Sequence, residues 1–284
     1  MDTGIRTYRG GDPVSVCDSM HLSARTPHPA LAPYVERLWY VTNDTAPQRR
    51  ERRLPTGTVQ LLVNIAADRL SWFDGQGRHS ASGAGLGAAV PRAVDIDTAE
   101  QRAVLGVSFS PGGATAFVGG PTLDTPLVDL VEVWPRAADL RDRLLGAPDA
   151  LDVLEAFMLD AARDAQPLHP CVAPAARALA TGHRVADVAD MLGTTTGSLH
   201  RRFRGAVGLA PKQFARVARL QRLLGSLTRG ADHDRAQDWA QLAATHGWYD
   251  QSHLVHDFAD LTGMTPTRYR PRPGAWANHV DPPP

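Results

Sequence analysis

Ala189-Asp190-Met191-Leu192-Gly193-Thr194-Thr195-Thr196-Gly197-Ser198-Leu199-His200-Arg201-Arg202-Phe203 and, further on, Ala243-Ala244-Thr245-His246-Gly247-Trp248-Tyr249-Asp250-Gln251-Ser252-His253-Leu254-Val255-His256-Asp257-Phe258 carry one pattern twice. Ala189, Gly193, Leu199, Phe203, Gly208, Pro211 and Phe214 reappear as Ala243, Gly247, Leu254, Phe258, Gly263, Pro266 and Tyr269, offset by 54 residues for the first two and 55 for the rest. The one inserted residue falls in the turn. A small side chain at Ala189 or Ala243 lets two helices cross closely. Gly193 and Gly247 end the first helix, because glycine takes a left-handed conformation at least steric cost. Thr195 and Asp250 are oxygen-bearing caps for the helix that follows. Leu199 with Phe203, and Leu254 with Phe258, are i, i+4 pairs that anchor that helix and turn its other face outward. The spacing therefore predicts two helix-turn-helix units.

The outward face carries the chemistry. In the first unit it presents Thr196, Gly197, Ser198, His200, Arg201 and Arg204; in the second, Gln251, Ser252, Val255 and His256. Arg binds guanine bidentately, Gln binds adenine bidentately, Ser and His reach bases or phosphates, and Val packs on a thymine methyl. Asp257 is the one acid that the helical spacing sets on this face. A helical bundle with no nucleic-acid role would also contain a glycine-ended helix and an amphipathic successor. Two units in register, each with cap, elbow and trailing Gly-x-x-Pro, favour a pair of DNA-reading helices over that plainer reading.

Charge agrees with this placement. The net charge of zero hides a basic middle: residues 1–170 hold 16 basic and 21 acidic side chains, residues 171–228 hold 9 and 2, and residues 229–284 hold 5 and 7. A local excess of +7 suits a polyanion such as double-stranded DNA. No apolar run is long enough to span a bilayer and no signal-type stretch opens the chain, so a cytoplasmic protein without membrane contact is expected. Cys17 and Cys171 have neither metal-ligand nor disulfide-framework spacing.

Upstream of the repeat the pattern changes. Residues 1–28 read as an irregular lead-in. Residues 35–41, 59–65 and 103–109 are rich in β-branched and aromatic side chains and read as strands, with Gly- and Ser-rich punctuation over 80–87. Helical spacing then takes over across 135–145 and 149–165, the second opened by Pro148. Residues 166–170, polar and twice interrupted by proline, mark a boundary. The fold class is α+β: a β-rich N-terminal domain with trailing helices over 1–168, then an all-α domain over 169–284. In the latter, helices are expected at 172–180, 185–192, 196–205, 211–227, 239–245, 251–262 and 266–270, and the tail past Arg272 is expected to fray.

With these residues in place, the chain resembles the AraC-type transcriptional regulators, whose DNA-binding half has two helix-turn-helix motifs joined by a long helix. The likeness rests on Gly247 to Leu254, Phe258 and Gly263 to Arg270, on Leu199 to Phe203 with Gly208 to Pro211, and on Arg219-Leu220 in the linker helix. Residues 28–165, with His28-Pro29-Ala30-Leu31, Leu54-Pro55-Thr56-Gly57 and Phe109-Ser110-Pro111-Gly112-Gly113, resemble a less-characterised β-rich domain fused to such halves. The resemblance implies a transcription regulator, not an enzyme, that inserts two recognition helices into successive major grooves. It also implies an N-terminal half that senses a small-molecule effector or protein partner, or forms a homodimer.

The chain departs from the family where His256 replaces the usual arginine and Ala259 a frequent basic residue, so the first unit is expected to dominate binding. Ala210 stands where a capping Ser or Thr is usual, an expected loss of about 1 kcal/mol at that helix start. The rival from another class is a DNA-repair or metal-dependent enzyme using the N-terminal half. His79, Asp95 and Asp97 show no metal-ligand spacing, so no metal and no cofactor is expected.

Overall fold

The computed structural model describes residues 20–43, 50–120, 125–229, 238–270 and 278–282. The N-terminal half is built on strands β1 (Met20–Arg25), β2 (Val35–Asn43), β3 (Glu51–Arg53), β4 (Gln60–Asn64), β5 (Arg69–Asp74), β6 (Gly77–Ser82), β7 (Ala84–Gly87), β8 (Val94–Ile96), β9 (Ala103–Phe109) and β10 (Leu127–Asp129). A short helix α1 (Thr115–Val118) lies between β9 and β10, and α2 (Leu130–Val133), α3 (Leu140–Leu144) and α4 (Ala150–Ala162) follow β10. The C-terminal half adds α5 (Val172–Ala180), α6 (Val185–Met191), α7 (Thr196–Val207), α8 (Pro211–Arg229), α9 (Trp239–His246) and α10 (Gln251–Thr262). A last strand, β11 (His279–Val280), ends the described chain.

Two antiparallel sheets form, in the orders β1-β2-β9-β4-β7-β10 and β11-β3-β8-β5-β6. In the six-stranded sheet the period of two sorts side chains to opposite faces. Leu38, Leu61, Val63, Leu105, Val107 and Phe109 join one core with Leu154, Phe157 and Met158 of α4. Trp39, Gln60, Leu62 and Val104 point the other way, into a cavity shared with the five-stranded sheet. The sheet is buried on both faces, which is why β9 reads as a near-continuous apolar run. Asp149 caps α4 by accepting from the Asp152 N–H at 3.1 Å, as the Pro148-Asp149 opening predicts.

Gly106 marks where the packing is tightest. It lies opposite Trp39 in the β2–β9 pair, and a Cβ there would stand 2.1 Å from the Trp39 ring. Gly106→Ala is expected to lower stability by about 1 to 3 kcal/mol through overpacking. Thermal unfolding checks it; an unchanged transition would mean the indole shifts without resistance.

Three expectations are corrected here. The lead-in contains a strand, because β1 pairs with β2 along its whole length, from Met20 opposite Asn43 to Arg25 opposite Leu38; residues up to 19, Cys17 among them, lie outside the described residues. The Gly- and Ser-rich stretch over 80–87 is strand rather than punctuation: in β6 and β7 small side chains suit close approach, and a Cβ on Gly85 would meet Leu127 at 2.8 Å. Within the tail, residues 278–282 are ordered against the β-rich half, since β11 pairs with β3 through His279 opposite Arg53 and Val280 opposite Arg52. A two-residue strand at the end of a proline-rich tail is too short for hydrophobic periodicity to reveal.

Candidate nucleic-acid interface

Each predicted unit forms as its residues dictate. In the first, α6 ends before Gly193 at φ +60°, and the Thr195 hydroxyl accepts from the Ser198 N–H at 3.2 Å to open α7. In the second, Gly247 closes α9 in the left-handed conformation, and the Asp250 carboxylate accepts from the His253 N–H at 2.7 Å to open α10. Leu199, Phe203, Leu254, Phe258 and Ala243 are fully buried, and Ala189 nearly so. The repeat extends to ring geometry: Phe203 meets Phe214 edge-on at 5.3 Å and 69°, and Phe258 meets Tyr269 edge-on at 6.0 Å and 73°.

With those anchors inward, Thr196, Gly197, His200, Arg201 and Arg204 of α7 are exposed, as is Arg202, while Ser198 is half-buried. On α10, Gln251, Ser252 and His256 are exposed and Val255 is half-buried. Sequence reasoning left out Tyr249, 92% exposed in the turn just before α10. An aromatic hydroxyl so placed is suited to a sugar-phosphate contact. The cue was present, because a tyrosine in a polar turn has no helical or strand partner to pack on.

Asp257 does not belong to the outward face. It is 3% exposed and accepts from Arg216 Nε at 2.7 Å, Arg219 at 2.8 Å and the Trp248 indole N–H at 2.9 Å. Arg219 also stacks on Trp248 at 4.5 Å and donates to the Gly247 carbonyl at 2.9 Å. Burial pushes the Asp257 carboxyl up, but the Trp248 hydrogen bond and the Arg216 pair outweigh it and hold it below the usual carboxylate range. Helical periodicity misassigned this residue because it sets angles on one helix, whereas the arginines that draw Asp257 inward stand on α8.

Ala210 also needs correction. The Gln213 side chain reaches back and accepts from the Ala210 N–H at 3.1 Å. That is the reverse half of a capping box, and it offsets part of the missing hydroxyl.

The far end of α10 is gripped by the β-rich half. Arg92 pairs with Asp260 at 2.7 Å, and the Ala93 N–H donates to the Leu261 carbonyl at 2.8 Å. Arg52 of β3 pairs with Asp95 of β8 at 2.6 Å and reaches the Thr262 carbonyl at 3.4 Å. Gly263 permits this approach twice over, with φ +73° and no Cβ where the Arg52 guanidinium lies. On α8, Phe214 and Val217 lie within 3.7 Å of where a Gly57 Cβ would stand, and Gln221 donates to the Pro55 carbonyl at 2.7 Å.

His79, Asp95 and Asp97 do not converge. His79 pairs with Asp74, Asp95 with Arg52 and Asp97 with Arg78. Among the described residues no three His, Cys, Asp or Glu side chains gather as metal ligands. No helix among them is long and apolar enough to cross a membrane.

A helix-turn-helix domain family matches residues 188–272, and a domain family of unknown function matches residues 23–125. No curated protein matches the chain in sequence. Among solved structures, two of ToxT from Vibrio cholerae are similar. One has TM-score 0.44 at 9% identity, covering 88% of this chain and 96% of that one. The other has TM-score 0.45 at 10% identity, covering 89% and 98%. The paired, capped helix-turn-helix units inside the matched span, behind a β-rich half, make the chain a DNA-binding transcription regulator whose C-terminal half is a helix-turn-helix domain.

Proposed function

We propose that α7 and α10 are the two recognition helices, each inserted into a major groove of double-stranded DNA. The contacts we assign are Thr196, Gly197, Ser198, His200, Arg201 and Arg204 from the first, and Gln251, Ser252, Val255 and His256 from the second. The observation that carries this reading is the repeated outward face, largely polar on both helices and basic on α7, opposite faces that are buried. Helix α8 is the spacer. Its 19 residues span about 28 Å, and its Phe214 packs on α7 while Arg216 and Arg219 hold α10. Successive major-groove faces lie about 34 Å apart, so one chain reads two segments one helical turn apart.

Selection of bound sequences from random duplex DNA tests this. The expected result is a two-part site with about one turn between parts, bound with an affinity that falls steeply with salt. A single short site, or an affinity indifferent to salt, overturns it. Within this reading, residues 1–168 form the sensing half and 169–284 the DNA-binding half, with β11 reaching back across the division. The cavity between the sheets is where a small-molecule effector would sit.

A further inference from the structure

The β-rich half touches the first unit, the spacer and the second unit in turn. On the first unit, Gly112 at φ +83° lies against α5 and α7, where a Cβ would stand 2.9 Å from Val172 and 3.6 Å from Ala206. On the spacer, a Gly57 Cβ would stand 3.3 Å from Val217, and the Pro55 carbonyl accepts from Gln221. On the second unit, Arg92 holds Asp260, the Ala93 N–H holds the Leu261 carbonyl and Arg52 reaches the Thr262 carbonyl. Gly57 and Gly112 belong to the short motifs, Leu54 to Gly57 and Phe109 to Gly113, that stand out upstream of the repeat. In the fold both motifs are docking loops.

These contacts fall at Ala206 on α7 and at Asp260 to Thr262 on α10, near the C-terminal end of each helix. The residues assigned to DNA end at Arg204 and His256. A recognition helix reads bases with its N-terminal residues, so a body that grips both helices from behind leaves their reading ends free and fixes the distance between them. Asp260 accepts from Arg216 of α8 at 2.6 Å and from Arg92 of the β-rich half at 2.7 Å. Helix α10 is thereby held from two sides.

Strand β11 fastens the arrangement. The chain leaves the β-rich half after α4, builds both units, and returns to lay β11 on the outer edge of β3. Val280 is buried in the shared core, and the Asn278 carbonyl accepts from the Leu54 N–H at 2.7 Å. The Gln221 amide of α8 donates to the Pro55 carbonyl and to Asn278 Oδ1, each at 2.7 Å, so one side chain joins spacer, β-rich half and tail. A strand of two residues opens easily on its own bonds, and its hold therefore depends on Gln221 and Val280.

We infer that the β-rich half is a positioning body for DNA reading: it holds the two recognition helices by their C-terminal ends at one fixed separation, with β11 and Gln221 as the tie, so the protein selects the spacing between the two parts of its site as well as their sequence. This rests on the recognition helices proposed above. Rigid coupling makes the second contact intramolecular, an advantage that is lost when geometry forbids both contacts at once. Each extra base pair displaces the second part by about 3.4 Å and about a tenth of a turn.

Affinity of the full chain for three duplexes tests the inference: the selected two-part site, the same site with two base pairs inserted between its parts, and the first part alone. The insertion is expected to weaken wild-type binding at least about tenfold. Gln221→Ala is expected to bind the first part alone as wild type does, but to cut the insertion penalty to under about threefold. Val280→Asp, which drives β11 off the core, is expected to do the same. Because Val280→Asp could disturb folding, Gln221→Ala, which trims only a half-buried amide, decides the matter if it does. A wild type indifferent to the insertion overturns the inference. So does an insertion penalty that Gln221→Ala leaves unchanged, since α8 alone would then set the spacing; a merely structural Gln221 would give that result with affinity for all three duplexes lowered alike. Selection that returns a single short site removes the recognition-helix reading itself, and this inference with it.

Discussion

Asp257→Ala is expected to destabilise the protein by about 3 kcal/mol, measured by urea unfolding at neutral pH. Removing one partner of a buried ion pair typically costs about 3 to 5 kcal/mol, because the remaining charge loses water and counter-charge together. The lower end applies because Arg216 keeps Asp260 at 2.6 Å and Arg219 keeps the Gly247 carbonyl and its stacking on Trp248. Asp257→Asn should cost less, since an amide oxygen still accepts from the Trp248 indole. The triad also carries a pH signature. A carboxyl whose folded pKa lies below its unfolded value of about 3.9 contributes stability that is fully present above that value and is lost as pH falls through the folded one. The gap in stability between wild type and Asp257→Asn should therefore be constant near neutrality and close at strongly acid pH. A loss under about 1 kcal/mol would show that the triad behaves like a solvent-screened surface pair.

This triad shows where sequence reading succeeds and where it stops. The caps, elbows and buried pairs of the two units were legible because each depends on one short stretch: a Thr or Asp beside a free N–H, a glycine after the last turn, two apolar residues four apart. The outward faces followed once the inward ones were known. Asp257 was not legible, because the same angle on the helix points to water or to α8 according to what α8 offers. In the sequence Arg219 stands out only as part of a family pair, and its role emerges from the ring and carboxylate it touches together. Strands β6 and β7 were hidden for a related reason. Gly85 looks like punctuation until Leu127 of the neighbouring strand shows that a larger side chain would not fit. The cavity and β11 depend on pairings across more than 200 residues, such as His279 with Arg53, which no local pattern encodes.

The asymmetry between the two units yields the other large effect. Arg201→Ala is expected to weaken binding to the selected DNA by about 1 to 3 kcal/mol and to relax preference at one base position. Arg201 stands exposed in the middle of α7, two residues past the buried Leu199, where a recognition helix meets base edges. Arg204, one turn nearer the C-terminal end of α7, should behave differently: its loss weakens all sequences alike and reduces the salt slope by about one, as a phosphate contact does. On α10, Gln251→Ala should relax specificity at a second position with a smaller total loss, because His256 and Ala259 supply less positive charge around it. Affinity for the selected site and its single-base variants, measured at two salt concentrations, separates these outcomes. If Arg201→Ala weakened every sequence equally, α7 would hold DNA without reading it. If Gln251→Ala cost as much as Arg201→Ala, the second unit would be an equal partner despite its missing charges, and the distribution of basic residues would not set the division of labour between the helices.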